Sequence, residues 1–240
     1  MAQKIEFIAR DEYCWEVCPR PFPARSGLPD WWTSMSPYQP SPSDPKGKKL
    51  NVDYGESNAT FKKCVPMLDA LTSGYIVPLW SDVQLVSTET DVQMNWRVRQ
   101  KDVFSHRGES ASTVEAPSGY SSIVFKYQNG WMIKTPPGYS TLVTAPFGYR
   151  NLPFMAIPAI IDTDKYYMDV IPPVWVRQNF DGIVEKGTPI LQLTPFKRVN
   201  WESTNTHLPN NTQYYTEEKN FRSIIKNHYL KNIWSKKEYK

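Results

Sequence analysis

At 240 residues with a net charge of +4, the chain is long enough to bury a core without disulfide or metal support. Its three cysteines, Cys14, Cys18 and Cys64, argue against a disulfide scaffold and fit a reducing compartment. Nine Trp, fourteen Tyr and ten Phe, with 21 Pro against 11 Gly, favour short strands and turns over a helical bundle.

The opening MAQKIEFIARDEY lacks the apolar run of a secretion signal, and no stretch reaches the length of a membrane span. The expectation is a soluble, cytoplasmically made chain with no membrane contact. Residues 3–8 alternate and predict a first strand. Cys14 and Cys18 form C-x3-C-P but lack the further paired ligands of a closed zinc site, so they read as buried thiols. Eight prolines then fall from Pro19 to Pro45, around Trp31-Trp32. Proline fixes φ and removes amide donors, so this stretch predicts an extended arm anchored by Trp31 and Trp32. The alternative is a Pro-rich ligand for a partner.

Pro66, the MLDAL run and Gly74 mark a short helix. GYIVPLW, DVQLVS and DVQMNWRV follow as strands, with Val92, Met94, Trp96 and Val98 on one face. Residues 101–119 read as a polar loop. SSIVFKY-QNG-WMIKT predicts a hairpin, because Asn129-Gly130 tolerates the positive φ of a tight turn. Strands are then expected in YSTLVTA, FMAIPAII, YYMDVI, VWV, GIV and ILQLTPF. Near the C-terminus, Phe221, Ile225, Tyr229 and Ile233 recur every four residues after a possible cap at Thr216, which predicts an amphipathic helix. Seven basic residues and one Glu in 219–240 make that segment a candidate for nucleic acid or an acidic partner, against the plainer reading of a solvated face. Phe221 and Trp234 are its candidate anchors.

Asp162 and Asp164 follow an apolar strand. In an extended segment they would share a face and could hold Mg²⁺ or orient a water. Asp-Thr-Asp-Lys is equally good turn chemistry.

Within residues 135–198, the order TPPGYS, AIIDTDKYY and GTPILQLTPFKR resembles the β-barrel of trimeric dUTPases. The resemblance implies that Asp162 takes the role of the water-activating base and that Asp164, Tyr166 and Gln192 belong to the ligand site. Gly187, Ile190, Gln192 and Leu193 match the last barrel motif. Lys165 stands where that family has Tyr, with Tyr166 one position late. Pro136 and Pro137 replace its phosphate-holding Arg and Ser beside Gly138, and no glycine follows Gly187 to build its C-terminal flap. A second resemblance, in CVPMLDALTSGYIVPL, NGWMIKTPPGYS, IIDTDKYY and GTPILQLTPFKRVNW, is to a family recurrent in cyanobacterial and marine tailed phages; it implies a phage origin and no particular activity.

The expected architecture is all-β: a jelly-roll or dUTPase-like barrel over 64–201, preceded by the strand and Pro-rich arm of 1–63 and followed by the loop and basic helix of 202–240. The expected function is a non-catalytic virion or assembly component without cofactor, forming homo-oligomers, trimers favoured, and contacting other virion proteins. The alternative is a nucleotide-binding or nucleotide-hydrolysing enzyme using Asp162 and Asp164 with Mg²⁺.

Overall fold

The computed structural model describes residues 3–53, 56–98, 100–106, 114–168, 170–205 and 229–240. Strand β1 (Glu6–Ala9) leads into helix α1 (Glu12–Val17), whose cap is Asp11: its carboxylate accepts from the Cys14 amide at 2.8 Å. Pro19, Pro21 and Pro23 confine the next strand, β2 (Phe22–Pro23), to two residues at a sheet edge. The predicted arm is not wholly extended: Pro29 opens helix α2 (Asp30–Ser34), which carries the Trp pair. A short β3 (Val52–Asp53) pairs with β4 (Glu56–Ser57), and helix α3 (Val65–Leu71) forms where Pro66 predicts it.

The remaining strands are β5 (Tyr75–Pro78), β6 (Val83–Ser87), β7 (Val92–Trp96), β8 (Phe104–His106), β9 (Tyr120–Tyr127) and β10 (Trp131–Lys134). They continue as β11 (Tyr139–Thr144), β12 (Phe154–Ala156), β13 (Ala159–Ile161), β14 (Pro173–Arg177), β15 (Phe180–Val184) and β16 (Pro189–Lys197). The protein is mostly β.

Two compact units divide the chain. One comprises Met1–Gly27, Thr72–Arg198 and Tyr239–Lys240; the other comprises Leu28–Leu71 and Val199–Glu238. The first holds fourteen strands in four antiparallel sheets, ordered β1-β10, β13-β11-β16-β5-β2, β12-β14-β9-β8 and β15-β6-β7. None of these sheets closes on itself among the described residues, so the expected closed barrel is replaced by open sheets packed on one core. Proline interrupts the ladders: Pro189 pairs with Pro78, and neither has an amide to donate. Leu79, Leu85, Ile133, Val174, Leu191 and Leu193 are fully or almost fully buried there, each worth about 1.5–3 kcal/mol relative to exposure. β6 alternates buried and exposed, and Val92, Met94, Trp96 and Val98 pack on this core as their spacing predicts.

The predicted hairpin at Asn129-Gly130 does not form. β9 pairs with β14 and β8, whereas β10 pairs with β1, so the NG step carries the chain from one sheet to another. Asn129 closes a local loop instead, donating from Nδ2 to Trp131 O (2.8 Å) and accepting from the Trp131 amide (3.2 Å). Gly130 is needed for closeness: a Cβ there would lie 2.4 Å from Cys18 Sγ. Two further expectations fail locally. The stretch read as a 101–119 loop contains β8, whose Phe104 packs on Phe154 with centroids 4.5 Å apart, and the described residues of YYMDVI form no strand. FMAIPAII splits at Pro158 into β12 and β13, which join different sheets.

Aromatic and polar contacts join described residues of the second unit. Trp32 is buried, meets Trp31 edge-on at 5.8 Å and lies under Lys62 Nζ at 5.3 Å. Trp234 Nε1 donates to the Asp69 carboxylate at 2.9 and 3.1 Å, and Lys237 pairs with the same group at 2.5 Å. Of the predicted C-terminal helix, Tyr229–Ile233 forms a single π turn and 234–240 are not helical; Thr216, Phe221 and Ile225 lie outside the described residues.

Gly74 has φ +70°, and a Cβ would approach Leu193 O to 1.8 Å. Gly74→Ala should therefore destabilise the fold by at least ~2 kcal/mol in chemical denaturation, where a change within ~0.5 kcal/mol would refute the close approach.

Candidate functional site

Strand register builds the site. β11 lies between β13 and β16, with Thr141 opposite Ile161 and Tyr139 opposite Lys197. One step beyond those pairs, Ser140 meets Asp162 and Gly138 meets Arg198. Ser140 Oγ donates to Asp162 Oδ1 at 2.6 Å, and the Arg198 amide donates to Gly138 O at 2.9 Å. Three segments that are remote in sequence, TPPGYS, IIDTDKYY and the FKR end of β16, thus share one corner.

The Asp-Thr-Asp segment is a turn, as its composition allows. The amides of Lys165 and Tyr166 both donate to Asp162 O, at 2.9 and 2.8 Å. Thr163 points inward, and its hydroxyl is 2.7 Å from that of Thr135 and 2.8 Å from that of Thr141. All three threonines are buried, so this hydroxyl cluster ties the turn to the strand beneath. In the sequence these residues look like ordinary loop and strand threonines; only the pairing of β11 with β13 distinguishes them.

Both carboxylates converge on Arg198. Its Nη1 donates to Asp164 Oδ1 at 2.9 Å, its Nη2 donates to Asp164 Oδ2, and Nη1 lies 3.1 Å from Asp162 Oδ1. Nη1 also reaches Tyr139 O (2.9 Å) and Ser140 Oγ (3.0 Å). The Gly138 amide completes the cradle, donating to Asp164 Oδ2 at 2.8 Å. The Asp164 side chain is only 5% exposed, while that of Asp162 is 51% exposed. Hydrogen bonds from Arg198, with the Gly138 amide behind them, hold the Asp164 carboxyl down at about 2. The Asp164 bonds in turn raise the ionisation of Arg198 above its usual range. Arg198 ends a motif the sequence highlights, but nothing local marks it as the partner of a residue 34 positions away.

This is the chemistry of an anion site, with a guanidinium fork and a backbone N–H aimed at one charge. The anion is the chain's own Asp164. Pro136 and Pro137 offer no amide, and the Tyr139 amide bonds Pro136 O at 3.2 Å, so the turn's amide donors are engaged internally. A cation between Asp162 and Asp164 would face the guanidinium bonded to both, so the donor set does not fit Mg²⁺. No group of three or more His, Cys, Asp or Glu is placed to hold a metal ion among the described residues.

The other predicted site residues lie elsewhere. Tyr166 is exposed and flanks a groove of about 400 Å³ with Arg10, Met132, Lys165, Tyr167 and Met168. Gln192 is 1% exposed, and its amide is engaged at both ends: Oε1 accepts from the Phe147 amide (2.7 Å) and Nε2 donates to Ser73 O (2.7 Å). It clamps loops rather than facing a ligand. Trp31, Trp32 and Trp234 contact their own unit, as described above.

No protein-family model matches this chain, and no curated protein is significantly similar to it. No described helix is long and apolar enough to cross a membrane.

The Asp164 carboxyl ionises at about 2 when folded and at about 4 when unfolded, so its stabilisation is complete above the higher value and lost as pH falls through the lower. Arg198→Met should abolish that contribution, and the Tm gap between wild type and variant should narrow on acidification from about pH 5 to about pH 2. Asp11, held at about 2 by Lys101, titrates alike in both chains and cancels. A gap independent of pH would rule out the clamp.

Proposed function

We propose that this chain is a non-catalytic structural or assembly protein of a tailed phage. Its body would be a relative of the jelly-roll and dUTPase-like barrels with opened sheets. The observation that carries the reading is the seat of Asp164 in the Gly138–Arg198 anion cradle. A phosphate competing for that cradle would have to displace a carboxylate that already holds two guanidinium bonds and an amide bond. The dUTPase-like likeness rests on the motifs in β11, β13 and β16, which are direct sheet neighbours. The phage assignment rests on the resemblance of four sequence stretches to the phage family. In this reading the chain is made in the host cytoplasm and joins the virion as a homo-oligomer, trimers favoured. Its basic 219–240 segment then contacts nucleic acid or acidic partners.

The half-exposed Asp162 carboxylate favours one competing reading, a nucleotide-binding or nucleotide-hydrolysing enzyme. Thermal-shift measurements with nucleoside triphosphates and Mg²⁺ separate the two. Wild-type Tm should not move, whereas Asp164→Ala, with its cradle vacated, should be stabilised by inorganic pyrophosphate. A wild-type shift with nucleotide that disappears in Asp162→Asn would establish the enzyme instead. Mass spectrometry of purified particles tests the virion assignment, and absence of the chain from them would remove it.

A further inference from the structure

Cys14 and Cys18 stand four residues apart on α1 and its C-terminal cap, so their side chains leave the same side. The Cys18 amide donates to Cys14 O at 2.9 Å, keeping the last turn closed. Helical geometry then separates the two Cα atoms by about 6 Å, inside the range a disulfide spans. Both sulfurs face the bare backbone of Gly130: they lie 2.4 Å (Cys18) and 3.5 Å (Cys14) from the point its missing Cβ would occupy.

The two thiols differ in surroundings. Lys101 Nζ donates to Cys14 Sγ at 3.5 Å and is itself held by the Asp11 carboxylate that caps α1. A recess of about 360 Å³ opens onto Cys14, lined also by Arg10, Lys101, Asp102 and Gln128. The recess admits a small oxidant to a sulfur that already accepts a hydrogen bond from Lys101. Cys18 does not line that recess. Burial, followed by the neighbouring Cys14 sulfur, pushes its thiol up to about 12, so it keeps its proton and can donate to Cys14.

We propose that Cys14 and Cys18 form a peroxide-reactive dithiol, with Cys14 the attacking and Cys18 the resolving residue. The Cys14 thiolate attacks one peroxide oxygen; an S–O bond forms, the O–O bond breaks, and hydroxide leaves and is protonated to water. The Cys18 sulfur then attacks the sulfenic sulfur; the S–S bond forms, the S–O bond breaks, and the Cys18 proton departs with the hydroxyl as a second water. Two thiols are oxidised and one peroxide is reduced.

The test treats the reduced full-length protein with hydrogen peroxide and follows intact mass and peptide maps, with Cys64 as internal reference. Wild type should lose the mass of two hydrogens, recover it with dithiothreitol, and yield a Cys14–Cys18 linked peptide. Cys18→Ser should stop at a Cys14 sulfenic acid that dimedone traps. Lys101→Met should slow the reaction about tenfold and Lys101→Arg much less, with both effects vanishing in guanidinium chloride. Oxidation of Cys64 ahead of the pair, dimedone labelling absent from Cys14, or a folded Lys101→Met variant that reacts at the wild-type rate would each overturn the proposal.

Discussion

One guanidinium, that of Arg198, joins three segments that the chain separates widely. It bonds Asp164 with both terminal nitrogens, Asp162 with one, and also the Tyr139 carbonyl and the Ser140 hydroxyl. Lysine could not reproduce this, because a point charge lacks the planar fork that matches a carboxylate. The strands beneath make the arrangement possible. β11 is hydrogen-bonded on both sides, so its register with β13 and β16 fixes which residues reach the corner. The buried Thr135–Thr163–Thr141 hydroxyls then keep the Asp-Thr-Asp turn from swinging away.

The corner separates two carboxylates that look alike in the sequence. Asp164 is inward, held at about 2, and completes an internal ion pair; Asp162 shares the same arginine but keeps half its side chain in water. A hydrolytic site needs a carboxylate free to take a proton and donors free to receive a phosphate. Here the donors already hold an anion belonging to the protein. The donors form an anion cradle, and its occupant is the Asp164 carboxylate of the same chain.

Local signals that depend on nearby residues were legible in the sequence. The alternation of β6 and β7 and the Pro66–Gly74 frame of α3 emerge where they were expected, because each depends on a few neighbours. The NG hairpin failed because Asn129 and Gly130 satisfy a different demand, a side-chain-closed loop and close packing against two sulfurs. β8 escaped notice because three residues carry no periodicity, although Phe104 is central to the aromatic cluster. Asp162 and Asp164 stood out in the sequence, but their partner Arg198 did not, since pairing across a sheet leaves no trace in spacing. Gln192 had the right motif, yet an amide is as suited to clamping two loops as to reading a ligand.

The Arg198–Asp164 pair acts as a structural staple, and a double-mutant cycle in chemical denaturation at neutral pH tests this most directly. Arg198→Met and Asp164→Asn should each destabilise the fold, and the double variant should lose clearly less than the sum of the two, because either change alone breaks the same contact. Additive losses, or a single variant more stable than wild type as ligand-binding charges often give when removed, would contradict it.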